Sequence, residues 1–245
     1  MSRSIEEPIS VDLIAGKRAS VGIVGMGYVG LPLALLFARQ GYRVLGLDID
    51  AEKVSALQDG RSYLSHIAAG DILAARDSGL FEASTDFKRA NEVHALLLCV
   101  PTPLTEHRQP DMTYIERTCR TLAPNLAAGQ LVCLESTTYP GTTREVMKPL
   151  LEQSGLTIGQ DLFVGYSPER EDPGNTDFGV RDIPKIVSGL TPECTDLTRA
   201  LYGAAFKTVS VVSSCEVAEA TKLLENIFRS VNIAMVNELK VLFDR

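Results

Sequence analysis

Val21-Gly22-Ile23-Val24-Gly25-Met26-Gly27-Tyr28-Val29-Gly30 sets a Gly-x-Gly-x-x-Gly spacing directly after an apolar, strand-length run and directly before a helical segment, Leu31–Gln40. In that context each glycine has a task. Gly25 permits the tight turn, Gly27 lets the backbone approach a pyrophosphate, and Gly30 lets the helix pack closely on the strand with its N-terminus facing the phosphates. Tyr28 and Val29 complete the loop and count with the glycines as cofactor contacts. Pro32 falls in the first helical turn, where a missing amide costs little. Asp48 closes the next strand 18 residues after Gly30, where a carboxylate accepts both ribose hydroxyls and repels a 2′-phosphate, so the loop is expected to take NAD rather than NADP. Lys53 either neutralises part of the adenosine side or is an ordinary solvated helix lysine. A methyltransferase or flavin fold is the alternative reading of the glycines.

On either side of this loop, strand-length apolar runs alternate with longer amphipathic segments, the order of a doubly wound α/β domain with a Rossmann-type sheet. Strands are expected at Val21–Gly25, Val44–Asp48, Ala95–Val100, Leu131–Glu135 and Leu162–Tyr166, with Lys185–Ser188 and Thr208–Val212 extending the sheet. Helices are expected at Leu31–Gln40, Ala51–Gln58, Met112–Leu126, Thr143–Gln153 and Pro192–Tyr202. This assigns residues 1–18 to an N-terminal arm and 19–212 to the dinucleotide-binding domain. From Glu216 about 30 residues without Gly or Pro form one helix, too long for a crossover and expected to open a second domain. At 100° per residue Val217, Ala220, Leu224, Ile227, Val231, Met235 and Leu242 make an apolar stripe, with Lys222, Asn226 and Arg229 on the opposite face.

Composition narrows the function classes. The 245 residues are 45% hydrophobic and 22% charged, with a formal net charge of −7, which argues against a non-specific nucleic-acid surface. The longest apolar stretch, Leu31–Ala38, is interrupted by Pro32 and is far short of a membrane span. Glu6 and Glu7 are the wrong chemistry for a secretory leader. Five cysteines without a Cys-x-x-Cys pair suit reduced thiols in the cytoplasm, and His66, His94 and His107 lack metal-ligand spacing. No tyrosine has a lysine four residues later, which excludes the short-chain dehydrogenase pair. The P-loop spacing is also absent.

Three further motifs stand where strands end, the place ligands bind in an open α/β sheet. They are Val100-Pro101-Thr102-Pro103, Glu135-Ser136-Thr137-Thr138-Tyr139-Pro140-Gly141-Thr142-Thr143, and Ser167-Pro168-Glu169-Arg170-Glu171-Asp172-Pro173-Gly174-Asn175. Each alone reads as a polar turn. Together with Lys222-x3-Asn226 they resemble the UDP-glucose/GDP-mannose dehydrogenase family over nearly the whole chain. The Ser-Pro-Glu-Arg segment and Lys222-Leu-Leu-Glu-Asn226-Ile-Phe-Arg229-Ser-Val-Asn232-Ile resemble the branch acting on UDP-N-acetylhexosamines, UDP-N-acetylglucosamine above all.

That resemblance implies a four-electron oxidation of the sugar C6 alcohol to a carboxylate by NAD, through an aldehyde and a cysteine thioester, serving surface polysaccharide. It assigns oxyanion stabilisation to Lys222, a hydrogen bond to the same oxygen to Asn226, water holding to Thr137 and proton transfer to Glu169. Pro101, Thr102, Ser136 and Thr137 become cofactor contacts, and Glu169, Arg170 and Arg229 substrate contacts. Without the resemblance, Lys222 and Asn226 read as a solvated helix face and Glu169 as a surface carboxylate.

Two departures stand out. Members acting on UDP-glucose carry a second glutamate four residues after the first, where this chain has Pro173. The family's Gly-Pro-Cys nucleophile segment has no counterpart. Cys99, Cys119 and Cys133 read as core, Cys194 lies in a first helical turn, and Cys215 precedes the long helix, whose dipole lowers a nearby thiol pKa. The sequence therefore reads as cut short before the nucleophile and the UDP-binding domain, able to bind NAD but not to finish the oxidation. The long helix is expected to contribute to a homodimer. A β-hydroxyacid dehydrogenase, which also bears a Lys-x3-Asn pair, and a non-catalytic NAD-binding chain are the competing readings.

Overall fold

The computed structural model describes residues 4–169, 181 and 183–244. Its strands are β1 Ser20–Val24, β2 Arg43–Leu47, β3 Phe81–Ser84, β4 Ala95–Leu98, β5 Gln130–Leu134, β6 Leu162–Tyr166, β7 Lys185–Gly189 and β8 Val209–Val211. They form one sheet in the order β3-β2-β1-β4-β5-β6-β7-β8. Every neighbouring pair is parallel except β6–β7. The helices are α1 Val11–Ala15, α2 Gly30–Arg39, α3 Ala51–Gln58, α4 Ala69–Asp77, α5 Thr113–Leu122, α6 Lys148–Leu151, α7 Pro192–Gly203 and α8 Cys215–Phe243.

The central strands are apolar along their whole length because both sheet faces are covered. Alternate residues feed two cores. Val21, Ile23, Ala95, Leu97, Leu131 and Cys133 face the layer holding Leu13, Phe37, Ile72 and Tyr202. Val24, Leu96, Leu98, Val132 and Leu134 face the layer holding Ile115, Leu122, Met147, Cys215 and Ala218.

Several expectations need correcting. The strands β1, β2, β4 and β5 stop one or two residues early, leaving Gly25, Asp48, Cys99 and Glu135 in the turns beyond them. The helix expected over Met112–Leu126 ends at Leu122, and a 3-10 turn, Ala123–Asn125, follows around Pro124, whose ring cannot continue it. The one expected over Thr143–Gln153 is a wide π turn, Thr142–Met147, then α6 and a 3-10 turn closed by Gly155 at φ +83°. The edge strand β3 and helix α4 carry no pattern strong enough to announce them. The N-terminal arm is anchored to the domain: Ile9, Leu13 and Ile14 are buried, and Tyr42 Oη donates to the Ile14 carbonyl at 2.7 Å.

The stripe of Val217, Leu224, Ile227, Val231, Met235 and Leu242 on α8 is exposed. Cys215, Ala218 and Glu219 are the buried residues of the helix, so the face of α8 laid on the domain is the one that continues through Lys222 and Asn226 by helical spacing. Among the described residues no helix is long and apolar enough to cross a membrane.

Candidate active site and cofactor loop

The glycine loop is shaped by close approaches. Gly25 has φ +92°, and a Cβ there would lie 2.6 Å from the Cys99 carbonyl oxygen. A Cβ on Gly30 would stand 1.8 Å from the Gly25 oxygen, so the first turn of α2 rests on the β1 turn. At Gly27 a Cβ would meet nothing within 4 Å, which leaves its outer side open. Val29, at the N-cap of α2, makes no side-chain cap; Leu31's amide donates to the Gly27 carbonyl at 3.1 Å and Pro32 has none, which leaves the Gly30 amide at the helix start to face an anion.

Asp48 is buried. Its Oδ2 accepts from the Met26 amide at 2.7 Å and its Oδ1 from the Asp50 amide at 2.9 Å. Each oxygen keeps a further lone pair, so the carboxylate both holds the loop and remains able to accept from a ribose. Lys53 Nζ lies 3.9 Å from both Asp48 and Asp50. Tyr63, which the sequence reading missed, donates from Oη to the Met26 carbonyl. Burial first, then the Asp48 and Asp50 charges, push its pKa upward, which keeps it a donor. Tyr28 is exposed and stacks on His66, ring centroids 5.6 Å apart and 14° from parallel. An open cradle at Gly27, an uncapped helix start and a carboxylate at the β2 end fit NAD.

Across the β1–β4 boundary, the two expected cofactor turns are tied together. Thr102 Oγ1 donates to the Thr137 carbonyl at 2.7 Å, Ser136 Oγ to the Val100 carbonyl at 2.7 Å, and Tyr166 Oη to the Ser136 carbonyl at 3.2 Å. Ser136 is buried, its hydroxyl committed to that tie. Thr137 and Thr102 are half-buried, and Pro101 is exposed beside them.

Further along the same edge sits a buried charge cluster. Lys185 Nζ donates to Glu135 Oε2 at 2.6 Å, to the Pro168 carbonyl at 3.2 Å and to Glu169 Oε2 at 3.3 Å. Tyr202 Oη donates to Glu135 Oε1, and the Lys185 ammonium lies 5.4 Å from the Tyr202 ring and 5.3 Å from the Phe206 ring. Charges this deep persist only when paired. Burial raises the Glu135 pKa against the pull of Lys185. Burial works against the Lys185 ammonium, yet the two carboxylates outweigh it and hold its pKa above the ordinary value. Sequence reading quoted Glu135 without a role and took Lys185 only as a strand start. The sole signal was two charged residues bounding otherwise apolar strands.

Lys222 comes to this cluster from α8. Its pKa is lowered by burial, partly offset by the charges of Glu169 and Glu225 and reinforced by Arg229 and Lys185. Asn226, one turn on, is half-buried, whereas Arg229 is exposed. Arg170, and Pro173 with its neighbours Glu171 and Asp172, lie outside the described residues.

A second missed residue, Glu219, places that helix. Fully buried, it accepts from the Gly141 amide at 2.6 Å, the Thr143 amide at 2.8 Å and Thr143 Oγ1 at 2.6 Å. Gly141 takes φ +103°, a left-handed turn that presents these amides at the start of the π turn. Arg144 Nε donates to Glu216 Oε1 at 2.6 Å beside it. The dipole argument for Cys215 fails: the thiol is buried, and burial pushes it up to about 12. Burial also pushes Cys119 up to about 12 and raises Cys99 and Cys133 well above the usual thiol range. These four are not thiolates at neutral pH. Among the described residues no group of three or more His, Cys, Asp or Glu is placed to hold a metal ion.

The fold and the glycine loop together define an NAD-binding domain of the dehydrogenase type. Residues 19–206 match the NAD binding domain of the UDP-glucose/GDP-mannose dehydrogenase family, and the chain belongs to that family. It is 38% identical over 231 residues to the UDP-N-acetyl-D-glucosamine 6-dehydrogenase of Pseudomonas aeruginosa, covering 94% of this chain and 54% of that protein. It is 36% identical to the UDP-N-acetyl-D-mannosamine dehydrogenase of Escherichia coli K12, covering 91% and 54%. The structure of UDP-D-ManNAc dehydrogenase from Pyrococcus horikoshii superposes with a TM-score of 0.84 at 33% identity, covering 91% of this chain and 53% of that one. The chain thus spans about half the length of the curated relatives it matches.

Proposed function

We propose that this chain is the NAD-binding part of a UDP-N-acetylhexosamine 6-dehydrogenase, with UDP-N-acetylglucosamine as substrate and a product used for surface polysaccharide. The observation that carries the reading is the docking of α8. Glu219 in the Gly141–Thr143 turn brings Lys222, and Asn226 one turn beyond it, to the carboxyl edge of the sheet, within electrostatic reach of Glu169. A helix face that reads as solvated is instead part of a site.

Bound NAD supplies the acceptor for the hydride that leaves C6. The chain's own residues handle the accompanying proton and charge. The Lys222 ammonium stabilises the alkoxide that develops on the C6 oxygen, an attraction that is strongest in a half-buried, water-poor site. Asn226 donates a hydrogen bond to the same atom. Glu169 accepts the proton released, and Thr137 holds the water needed at the hydrolytic stage. Arg170 and Arg229 contact the substrate. Because the described cysteines with shifted pKa values are all shifted upward, the 245-residue chain alone binds NAD without completing the oxidation. The exposed face of α8 pairs with a second copy.

The test is a chimera in which the unmatched half of the P. aeruginosa relative follows this chain. NADH formation with UDP-N-acetylglucosamine is expected, two NADH for each sugar carboxylated as the four-electron chemistry requires. Lys222→Ala should lower kcat by about 10²-fold or more. A folded, NAD-binding chimera that oxidises a β-hydroxyacid and none of UDP-N-acetylglucosamine, UDP-N-acetylmannosamine and UDP-glucose overturns the proposal.

A further inference from the structure

Lys185 is a fully buried ammonium with no role in the chemistry just described, yet it touches the one carboxylate to which proton transfer is assigned. It starts β7 and donates to Glu135 at the β5 end, to the Pro168 carbonyl and to Glu169. Glu135 is held in turn by Tyr202 from α7. Four elements of the sheet edge thus converge on one nitrogen. Lys222 on α8 is a second cation within electrostatic reach of Glu169. Stability alone does not call for this arrangement, since an all-apolar set of similar volume in place of the whole cluster would pack at little or no net loss.

We propose that Lys185 is a positioning residue: its ammonium, fixed by Glu135 and Tyr202, holds the Glu169 carboxylate at the sheet edge opposite Lys222 and sets the pH range over which that carboxylate exchanges protons. Its catalytic meaning rests on the C6 chemistry proposed above. Among the groups that face Glu169 are Lys185 from β7, Glu135 from β5 and Lys222 from α8. Cys99 beyond β4 and Cys133 in β5 lie close enough to sense the cluster, and both thiols are neutral. Two substitutions then act in opposite directions. Lys185→Met removes the opposing charge and shifts Glu169 titration to higher pH, by about one pH unit or more. Glu135→Gln removes the competing carboxylate, leaves Lys185 to Glu169 alone, and shifts the titration lower. Lys185→Arg keeps the charge and leaves it near the parent value.

Carbon-13 NMR of the glutamate carboxyls in the 245-residue chain, with Glu169 assigned through Glu169→Gln, reads these shifts without any turnover. Opposite shifts for Lys185→Met and Glu135→Gln, with Lys185→Arg unmoved, support the proposal. A Glu169 titration unmoved by Glu135→Gln overturns it, even where Lys185→Met fails to fold. The NADH assay of the chimera separates the two claims. Shifts as expected in a chimera inert toward every UDP-sugar leave Lys185 as the anchor of Glu169 and remove the proposed reaction.

Discussion

Gly27 and Gly30 share a motif but answer to different forces, and alanine at each separates them. At Gly30 the new methyl meets the Gly25 oxygen at 1.8 Å, so α2 must move off β1. Overpacking of this kind costs about 1–3 kcal/mol or more. At Gly27 the methyl enters open space, where the phosphates of NAD are to come. Gly27→Ala should therefore unfold at nearly the parent temperature while losing NAD affinity, and Gly30→Ala should unfold at a clearly lower temperature; thermal unfolding with and without NAD measures both. Asp48 carries a double load on the proposed reading, since it holds the Met26 and Asp50 amides and is to accept from the ribose of NAD. Asp48→Ala leaves those donors without their partner and removes the charge that repels a 2′-phosphate. Calorimetric titration should show NAD affinity falling about 10–100-fold, equivalent to about 1–3 kcal/mol, with the preference over NADP much reduced.

The placement of α8 depends on its first two turns, and the groups there respond to acid in a defined direction. Arg144, hydrogen-bonded to Glu216, holds that carboxyl down at about 2 against an ordinary 4.5. A depressed carboxylate contributes stability above its unfolded value and loses it as pH falls through the folded one. Hydrogen exchange at the start of α8 should accelerate as pH drops from about 4.5 toward about 2, beyond the intrinsic rate change, and Arg144→Gln should weaken that extra dependence, the Ser214 and backbone hydrogen bonds to Glu216 remaining. Glu219→Ala goes further, leaving the Gly141 and Thr143 amides unpaired; breaking such a buried set costs about 3–5 kcal/mol and should free the helix start at neutral pH. None of this was legible beforehand, because Glu219 meets its partners across 76 and 78 residues of chain, and a helical wheel ranks a glutamate as outward. The same blindness hid the Glu135–Lys185 pair, 50 residues apart. For the same reason the pattern alone left Lys222 and Asn226 as a solvated face, though both are half-buried. By contrast β1, β2, β4, β5 and β6 were legible within two residues, because strands covered on both faces are written as continuous apolar runs. The glycine loop was legible because its spacing is local. The edge strand β3 was not: four residues, one side exposed, make too short a pattern.

At the scale of the molecule the exposed face of α8 is the feature the domain itself does not account for. Leu224 is 67% exposed, Phe228 69%, Val231 60% and Leu242 62%, and they recur at helical spacing along one helix of 29 residues. A contiguous apolar face of this length exceeds what monomeric proteins ordinarily leave to water. The opposite side is committed to the domain at the helix start through Cys215, Ala218 and Glu219, while farther along Ile233 and Val236 are exposed too, so a partner can approach the outer turns of α8 without disturbing the site. Two copies related by a twofold axis bring this face against itself, which satisfies each stripe with the other and closes the assembly. A stable interface of this kind buries about 1,200–2,000 Å² in total, a scale that a pair of helices about eight turns long and their flanks can supply. The 245-residue chain should therefore sediment as a dimer at micromolar concentration. Phe228→Glu combined with Val231→Glu places like charges at the centre of that contact and should convert it to a monomer, with NAD affinity by calorimetry kept, since neither side chain lies near the glycine loop in the fold. A parent chain that remains monomeric at 100-fold higher concentration excludes the pairing.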